Sequence, residues 1–106
     1  MKKEFVIGVT GASGACYARR LLDVLSARAT VHVIVSDVAQ KIASHEGVDF
    51  SGFPAHYYGN GQMFAPIASG SCRYDGMVVI PCSQKTLAAV AHGYAANLIA
   101  RTADVC

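Results

Sequence analysis

Glu4-Phe5-Val6-Ile7-Gly8-Val9-Thr10 runs straight into Gly11-Ala12-Ser13-Gly14-Ala15, and this junction decides how the rest of the chain is read. The first part is apolar without alternation, the pattern of a strand covered on both faces. The second is a turn of small residues. Over residues 15–28, Ala18, Leu21, Leu22 and Leu25 then recur at helical spacing, opposite Arg19, Arg20, Asp23 and Ser26. A buried strand, a small-residue turn and an amphipathic helix together open a parallel α/β sheet.

Working outward, residues 31–35 read as a second buried strand, followed by Ser36-Asp37 and a helix to about Glu46. The order strand, helix, strand, helix predicts a right-handed βαβ unit. Residues 47–63 are glycine-rich, aromatic and aperiodic, and read as a surface excursion whose length points to function. Residues 65–71 form a turn or short helix start. Residues 76–80 read as a third buried strand, ended by Pro81-Cys82-Ser83. A helix over 84–91 is expected to carry Leu87, Val90 and Ala91 inward, and Asn97 is placed to cap a last helix.

A length of 106 residues suits one domain, spanning 1–106. With 53% apolar and 15% charged residues a core is easily built, and the apolar excess predicts faces that pack on further chain or on other subunits. The last helix stops without a cap or polar tail, so the domain is expected to be incomplete at its C-terminal end. A net charge of +2 from scattered residues gives no nucleic-acid footprint. No apolar stretch reaches the ~18 residues of a membrane span, and no targeting pattern follows Met1-Lys2-Lys3. Cys16, Cys72, Cys82 and Cys106 form no C-x-x-C pair, which predicts reduced, mostly buried thiols in a cytoplasmic protein. His32, His45, His56 and His92 fit no metal pattern, read as structural, and no metal is expected.

In a parallel sheet, ligands bind outside the carboxyl ends of the strands. Three small-residue loops fall there: Gly11 to Gly14, Ser36-Asp37, and Ser83-Gln84-Lys85-Thr86. The first is either a tight structural turn or a place where backbone and a helix N-terminus meet a phosphate. It is no P-loop, and its glycines at 8, 11 and 14 do not spell G-x-G-x-x-G. Ser83 is either an ordinary N-cap with Lys85 in solvent or part of a polar cofactor edge. Ser69-Gly70 is a plain turn or a packing surface for a ligand. Arg101, among Leu98, Ile99, Ala100 and Ala103, is paired or binds an anion. Glu46 is a solvated helix end or a proton-handling carboxylate near the first loop. Tyr57-Tyr58 rim a pocket or only pack the excursion.

Three blocks carry a family resemblance. They are residues 10–15 with 17–22; Ala65-Pro66-Ile67-Ala68-Ser69-Gly70-Ser71; and Asp75-Gly76-Met77 through Ile80-Pro81-Cys82-Ser83-Gln84-Lys85-Thr86-Leu87, Ala91-His92-Gly93-Tyr94 and Asn97-Leu98-Ile99-Ala100-Arg101. In this order they resemble the N-terminal half of UbiX-like flavin prenyltransferases. The resemblance implies a Rossmann-like or flavodoxin-like three-layer α/β fold, cut after its third predicted strand and the helices that follow. It implies an FMN cofactor held by Gly11, Ala12, Ser13, Ser36, Ser83, Gln84, Lys85 and Thr86. Ser13 and Glu46 would be catalytic, near the flavin N5, and Ser69, Gly70 and Arg101 would hold the phosphate of dimethylallyl phosphate. The implied activity moves a dimethylallyl group onto reduced FMN, for use by a UbiD-type decarboxylase. Trimeric or dodecameric homo-oligomers are implied too. The competing readings are an NAD(P)-dependent short-chain-dehydrogenase-like fragment with Asp37 on a ribose, a related flavin-dependent cysteine decarboxylase, and a non-catalytic FMN-binding fragment.

Overall fold

The Glu4–Val9 run forms β1, the centre of a four-stranded sheet, in a computed structural model that describes residues 2–69 and 73–106. Its neighbours are β2 (Thr30–Val35) and β4 (Gly76–Val79), and β3 (His56–Gly59) lies outside β2. The order is β3-β2-β1-β4 and every pair is parallel. Helices α1 (Ala15–Ser26), α2 (Asp37–Glu46), α3 (Gln84–Ala91) and α4 (Leu98–Val105) complete the chain with a 3₁₀ turn at Pro66–Ala68.

The unbroken apolar run of β1 is explained by two cores. Ile7 and Val9 face α1 and α2, packing with Ala18, Leu22, Val31, Val33 and Ala43. Val6 faces the other way, with Ile34, Ile67, Leu98 and Ile99 of β2, the 3₁₀ turn and α4. A strand central to a sheet with helices on both faces has no solvent side, so alternation disappears.

The expected surface excursion over 47–63 contains β3, which the sequence did not reveal. Four residues, His-Tyr-Tyr-Gly, give neither an apolar run nor an alternation. Their anchorage comes from pairing His32 with His56 and Ile34 with Tyr58, and from side chains. His32 stacks on His56 at 5.0 Å and approaches the Tyr58 hydroxyl through Nδ1 at 3.3 Å and Glu4 Oε1 through Nε2 at 3.1 Å. The Tyr57 hydroxyl donates to Phe50 O at 2.8 Å.

Two further expectations are corrected. The stripe on α3 does not turn inward: Leu87 is 62% exposed, Val90 and Ala91 are exposed, and Val78 of β4 is exposed as well. Periodicity thus correctly marked a helix with an apolar stripe but not its burial. The thiols of Cys16, Cys82 and Cys106 are exposed rather than buried, and Cys72 lies outside the described residues. Among the described residues no helix is long and apolar enough to cross a membrane.

Candidate functional site

The chain leaves β1 toward β2 and β3, then returns to the opposite side of β1 to lay down β4. Neighbouring connections therefore diverge between β1 and β4, and such a switch point opens a crevice at the carboxyl ends of the strands. A cavity of about 900 Å³ lies there. One wall presents Thr10, Gly11, Ser36, Ser83, Lys85 and Thr86. Further lining comes from Ala89 and His92 along and just after α3 and from Asn97 and Ala100 at the start of α4.

The loop after β1 is shaped by two glycines. Gly14 is the N-cap of α1 at φ 112°, in the left-handed region that glycine adopts without a Cβ penalty. Gly11 is crowded by Val38, and a Cβ there would stand 2.5 Å from Val38 Cγ1. The start of α2 thus packs directly on the loop. No side chain caps α1, and its first turn holds no acidic residue. The Tyr17 N–H turns back to Gly14 O at 3.0 Å, while the N–H groups of Ala15 and Cys16 and the positive dipole end remain available to an anion.

The other two loops carry hydroxyls. The Ser36 N–H donates to Val9 O at 3.1 Å, and Ser36 Oγ accepts the Ala39 N–H at 3.1 Å. Ser83 does the same for α3, accepting the Thr86 N–H at 3.2 Å, with the two hydroxyls 3.0 Å apart. Lys85 adds a positive charge, and among the described residues no Asp or Glu lines the cavity. Hydroxyls, a lysine and a lining free of carboxylates favour a ligand with anionic oxygens.

Helix α4 is not a second anion site. Asn97 Oδ1 accepts the Ala100 N–H at 2.9 Å, Asn60 O accepts the Leu98 N–H at 2.9 Å, and Asn60 Oδ1 accepts the Ile99 N–H at 2.8 Å. Its first-turn donors are consumed, which fixes the wall carrying Asn97 and Ala100.

Of the residues predicted from sequence, Gly11, Ser36, Ser83, Lys85 and Thr86 line this one cavity. Ala12 is half-buried in the same loop, while Ser13 and Gln84 are exposed beside it. Arg101 donates from Nε to Ala68 O at 3.4 Å, which brings α4 against the segment leading to Ser69. Neither Arg101 nor Ser69 lines the cavity, and Gly70 lies outside the described residues. Glu46 is not near the first loop of its own chain. It is exposed at the far end of α2, and a ten-residue helix puts it ~15 Å from the Ser36 end at 1.5 Å per residue. Asp37 lines a separate cavity of about 370 Å³ with Asp49 and Tyr57, so a ribose-binding role beside the first loop has no support in the geometry.

Sequence reasoning missed Thr10, Val38 and His92 as cavity residues. Thr10 and Val38 could have been found by position alone, as the last residue before the first loop and the second residue of α2. His92 is the C-cap of α3; it stands within the family block over residues 91–94, but nothing in that block's residue types assigns it to the cavity.

Fold and cavity together define an α/β domain with helices on both faces of a parallel sheet and a cavity lined by hydroxyls and a lysine at its switch point. The family model described as Flavoprotein matches residues 1–106, and the chain belongs to that family. It is 47% identical over 106 residues to the flavin prenyltransferase UbiX of Methanocaldococcus jannaschii, a match covering 96% of this chain and 58% of that protein. Among solved structures, AnUbiX (PadA1) in complex with FMN and dimethylallyl pyrophosphate superposes with a TM-score of 0.88 at 36% identity, covering 99% of this chain and 58% of that one. A dodecameric FMN-dependent Ubix-like decarboxylase from Escherichia coli O157:H7 gives a TM-score of 0.88 at 38% identity, with 96% and 59% covered. The chain thus spans a little under three fifths of the length of these relatives.

Proposed function

We propose that this chain is the flavin-holding portion of a flavin prenyltransferase, with FMN in the switch-point cavity. The observation that carries the reading is convergence. Five residues drawn from three loops far apart in sequence line one cavity of about 900 Å³, beside an uncapped α1 N-terminus and with Lys85 as its charged group. Relatives of matching fold and more than a third identity are prenyltransferases, one of them holding FMN and a prenyl diphosphate.

The chain's own groups divide the work. The small loop over Gly11, Ala12 and Ser13 admits the cofactor close to the backbone, and the α1 N–H groups face its negative charge. Ser36, Ser83, Gln84, Lys85 and Thr86 hold its polar edge. Ser69, Gly70 and Arg101 take the phosphate of dimethylallyl phosphate, where a fixed cation stabilises the charge that grows as the allylic C–O bond breaks. Bound reduced FMN supplies the nucleophilic ring nitrogen that accepts the prenyl group. Ser13 and Glu46 handle the proton lost there. Because Glu46 stands at the far end of α2, it reaches a cavity only from another copy, which ties this role to a homo-oligomer. The product serves a UbiD-type decarboxylase, and no metal takes part.

Titrating the purified chain with FMN and following quenching of flavin fluorescence tests the first half of this reading. Saturable binding with a shifted flavin absorption band is expected. Binding of a nicotinamide dinucleotide with no flavin binding would overturn it. Mass spectrometry of FMN after incubation under reducing conditions with dimethylallyl phosphate tests transfer.

A further inference from the structure

The hydroxyl of Thr10 is buried, at 3% residue exposure, and lies between two of the three cavity loops. It donates to Pro81 O at 2.6 Å and accepts the Ser83 N–H at 2.7 Å. The backbone N–H of Thr10 also reaches Pro81 O, at 3.2 Å. The β1–β4 ladder proper ends just before this point, with Gly8 opposite Val79 and the Ile80 N–H on Gly8 O at 2.8 Å. Beyond it, these Thr10 contacts hold the two loops together.

We infer that Thr10 is a positioning residue, whose hydroxyl locks Ser83 against the end of β1 and so sets how Ser83 and Thr86 face the cavity. Its expected effect on cofactor binding rests on the flavin reading above; its effect on Ser83 does not. The single Thr10 hydroxyl proton goes to Pro81 O, so Thr10 can only accept from Ser83. Ser83 Oγ already accepts the Thr86 N–H, and the two hydroxyls share one bond at 3.0 Å. Two protons and one mutual bond leave one proton to donate outward. The Ser83–Thr86 pair therefore presents a hydrogen-bond donor to the cavity, and the ligand edge it meets is an acceptor: a ring carbonyl or nitrogen, or a phosphate oxygen.

The lock is visible without any ligand. Ser83 is the N-cap of α3, and an N-cap N–H has no partner within its own helix. Slow hydrogen exchange of the Ser83 amide in the ligand-free wild type is therefore expected from Thr10, and an unprotected Ser83 amide overturns the inference without any variant being made. Thr10→Val keeps the shape and the backbone bond but removes both side-chain bonds. It should speed Ser83 exchange roughly tenfold, the worth of about one hydrogen bond, while the amides of β2 stay protected. FMN affinity should fall by a similar factor, and Thr10→Ser should restore both. A role in stability alone predicts a lower unfolding midpoint with unchanged FMN affinity in Thr10→Val, and that result overturns the inference. Unchanged Ser83 exchange in Thr10→Val overturns it too. If wild type takes up no FMN, the flavin reading fails, while the exchange measurements still decide the role of Thr10.

Discussion

Replacing Gly11 with alanine sets two opposing effects against each other, and the structure decides the sign. Gly11 is not among the glycines at positive φ, so alanine fits the backbone there. Its stiffer unfolded chain would by itself stabilise the protein by ~0.4–1 kcal/mol. Against this, the new Cβ would lie 2.5 Å from Val38 Cγ1 and 2.9 Å from Val38 Cβ, where carbon atoms normally sit ~3.5–4.0 Å apart. Rotation about χ1 moves Cγ1 out of the way, and Val38 is 57% exposed, so there is room for it. Rotation does not move Cβ. The second contact is relieved only if the loop or the start of α2 gives way, and overpacking of this kind costs ~1–3 kcal/mol. The net expectation is destabilisation of about 1 kcal/mol, or a fall of roughly 5 °C in the unfolding midpoint for a domain of this size. Thermal unfolding followed by circular dichroism measures it. Adding Val38→Gly removes Cβ as well as Cγ1, so Gly11→Ala should cost less in the Val38→Gly background than in the wild type, a coupling energy between the two sites. A Gly11→Ala midpoint at or above wild type, or strict additivity in the pair, would refute the packing argument.

Thr102 Oγ1 is buried with no hydrogen-bond partner among the described residues. Thr102→Val should therefore raise stability by about 1 kcal/mol, and denaturant melts that show no gain count against it. Asn60→Ala removes one of the α4 donors' acceptors and should cost ~0.5–2 kcal/mol, with faster amide exchange at Ile99 as its local sign. The Asp49 carboxyl is held below its usual range by the Ser51 backbone N–H and then the Ser51 hydroxyl. A depressed carboxyl contributes where it is ionised, above its unfolded value, and loses that contribution as pH falls through the lowered folded value. The Ser51 amide resonance should accordingly titrate with Asp49 below the ordinary aspartate range, and a midpoint at the ordinary value would contradict the turn.

Much of the sheet was legible because β1 and β2 are covered on both faces, and that burial leaves an unbroken apolar run in β1 and one interrupted only by His32 over residues 31–35. The cavity was legible because each of its loops follows a strand and opens a helix, a position where small residues and hydroxyls have a physical reason to gather. β3 was hidden because an edge strand needs only one hydrogen-bonded neighbour. His56, Tyr57 and Tyr58 supply ring contacts and hydroxyl bonds in place of an aliphatic pattern. Leu87 and Val90 misled because a helical stripe records which face is apolar, not what lies opposite. The distance of Glu46 from the first loop of its own chain has a simpler reason: a helix that begins at the cavity must end away from it. Thr10 escaped notice because its importance lies in the Pro81 and Ser83 backbone it reaches across 71 and 73 residues, and no local motif records such a partner.

That long reach has a kinetic consequence. β1, α1 and β2 are consecutive and pair locally, whereas β4 meets β1 only after a loop of some seventy residues closes, with Phe5 opposite Gly76. Loop-closure entropy must be met before non-local contacts give anything back. The local unit is thus expected to form early, and the crevice between β1 and β4 to come into being with the late docking step. A ligand bound in that crevice recognises only the finished arrangement. It should slow the unfolding limb of a chevron plot in proportion to its affinity, and leave the folding limb where it was.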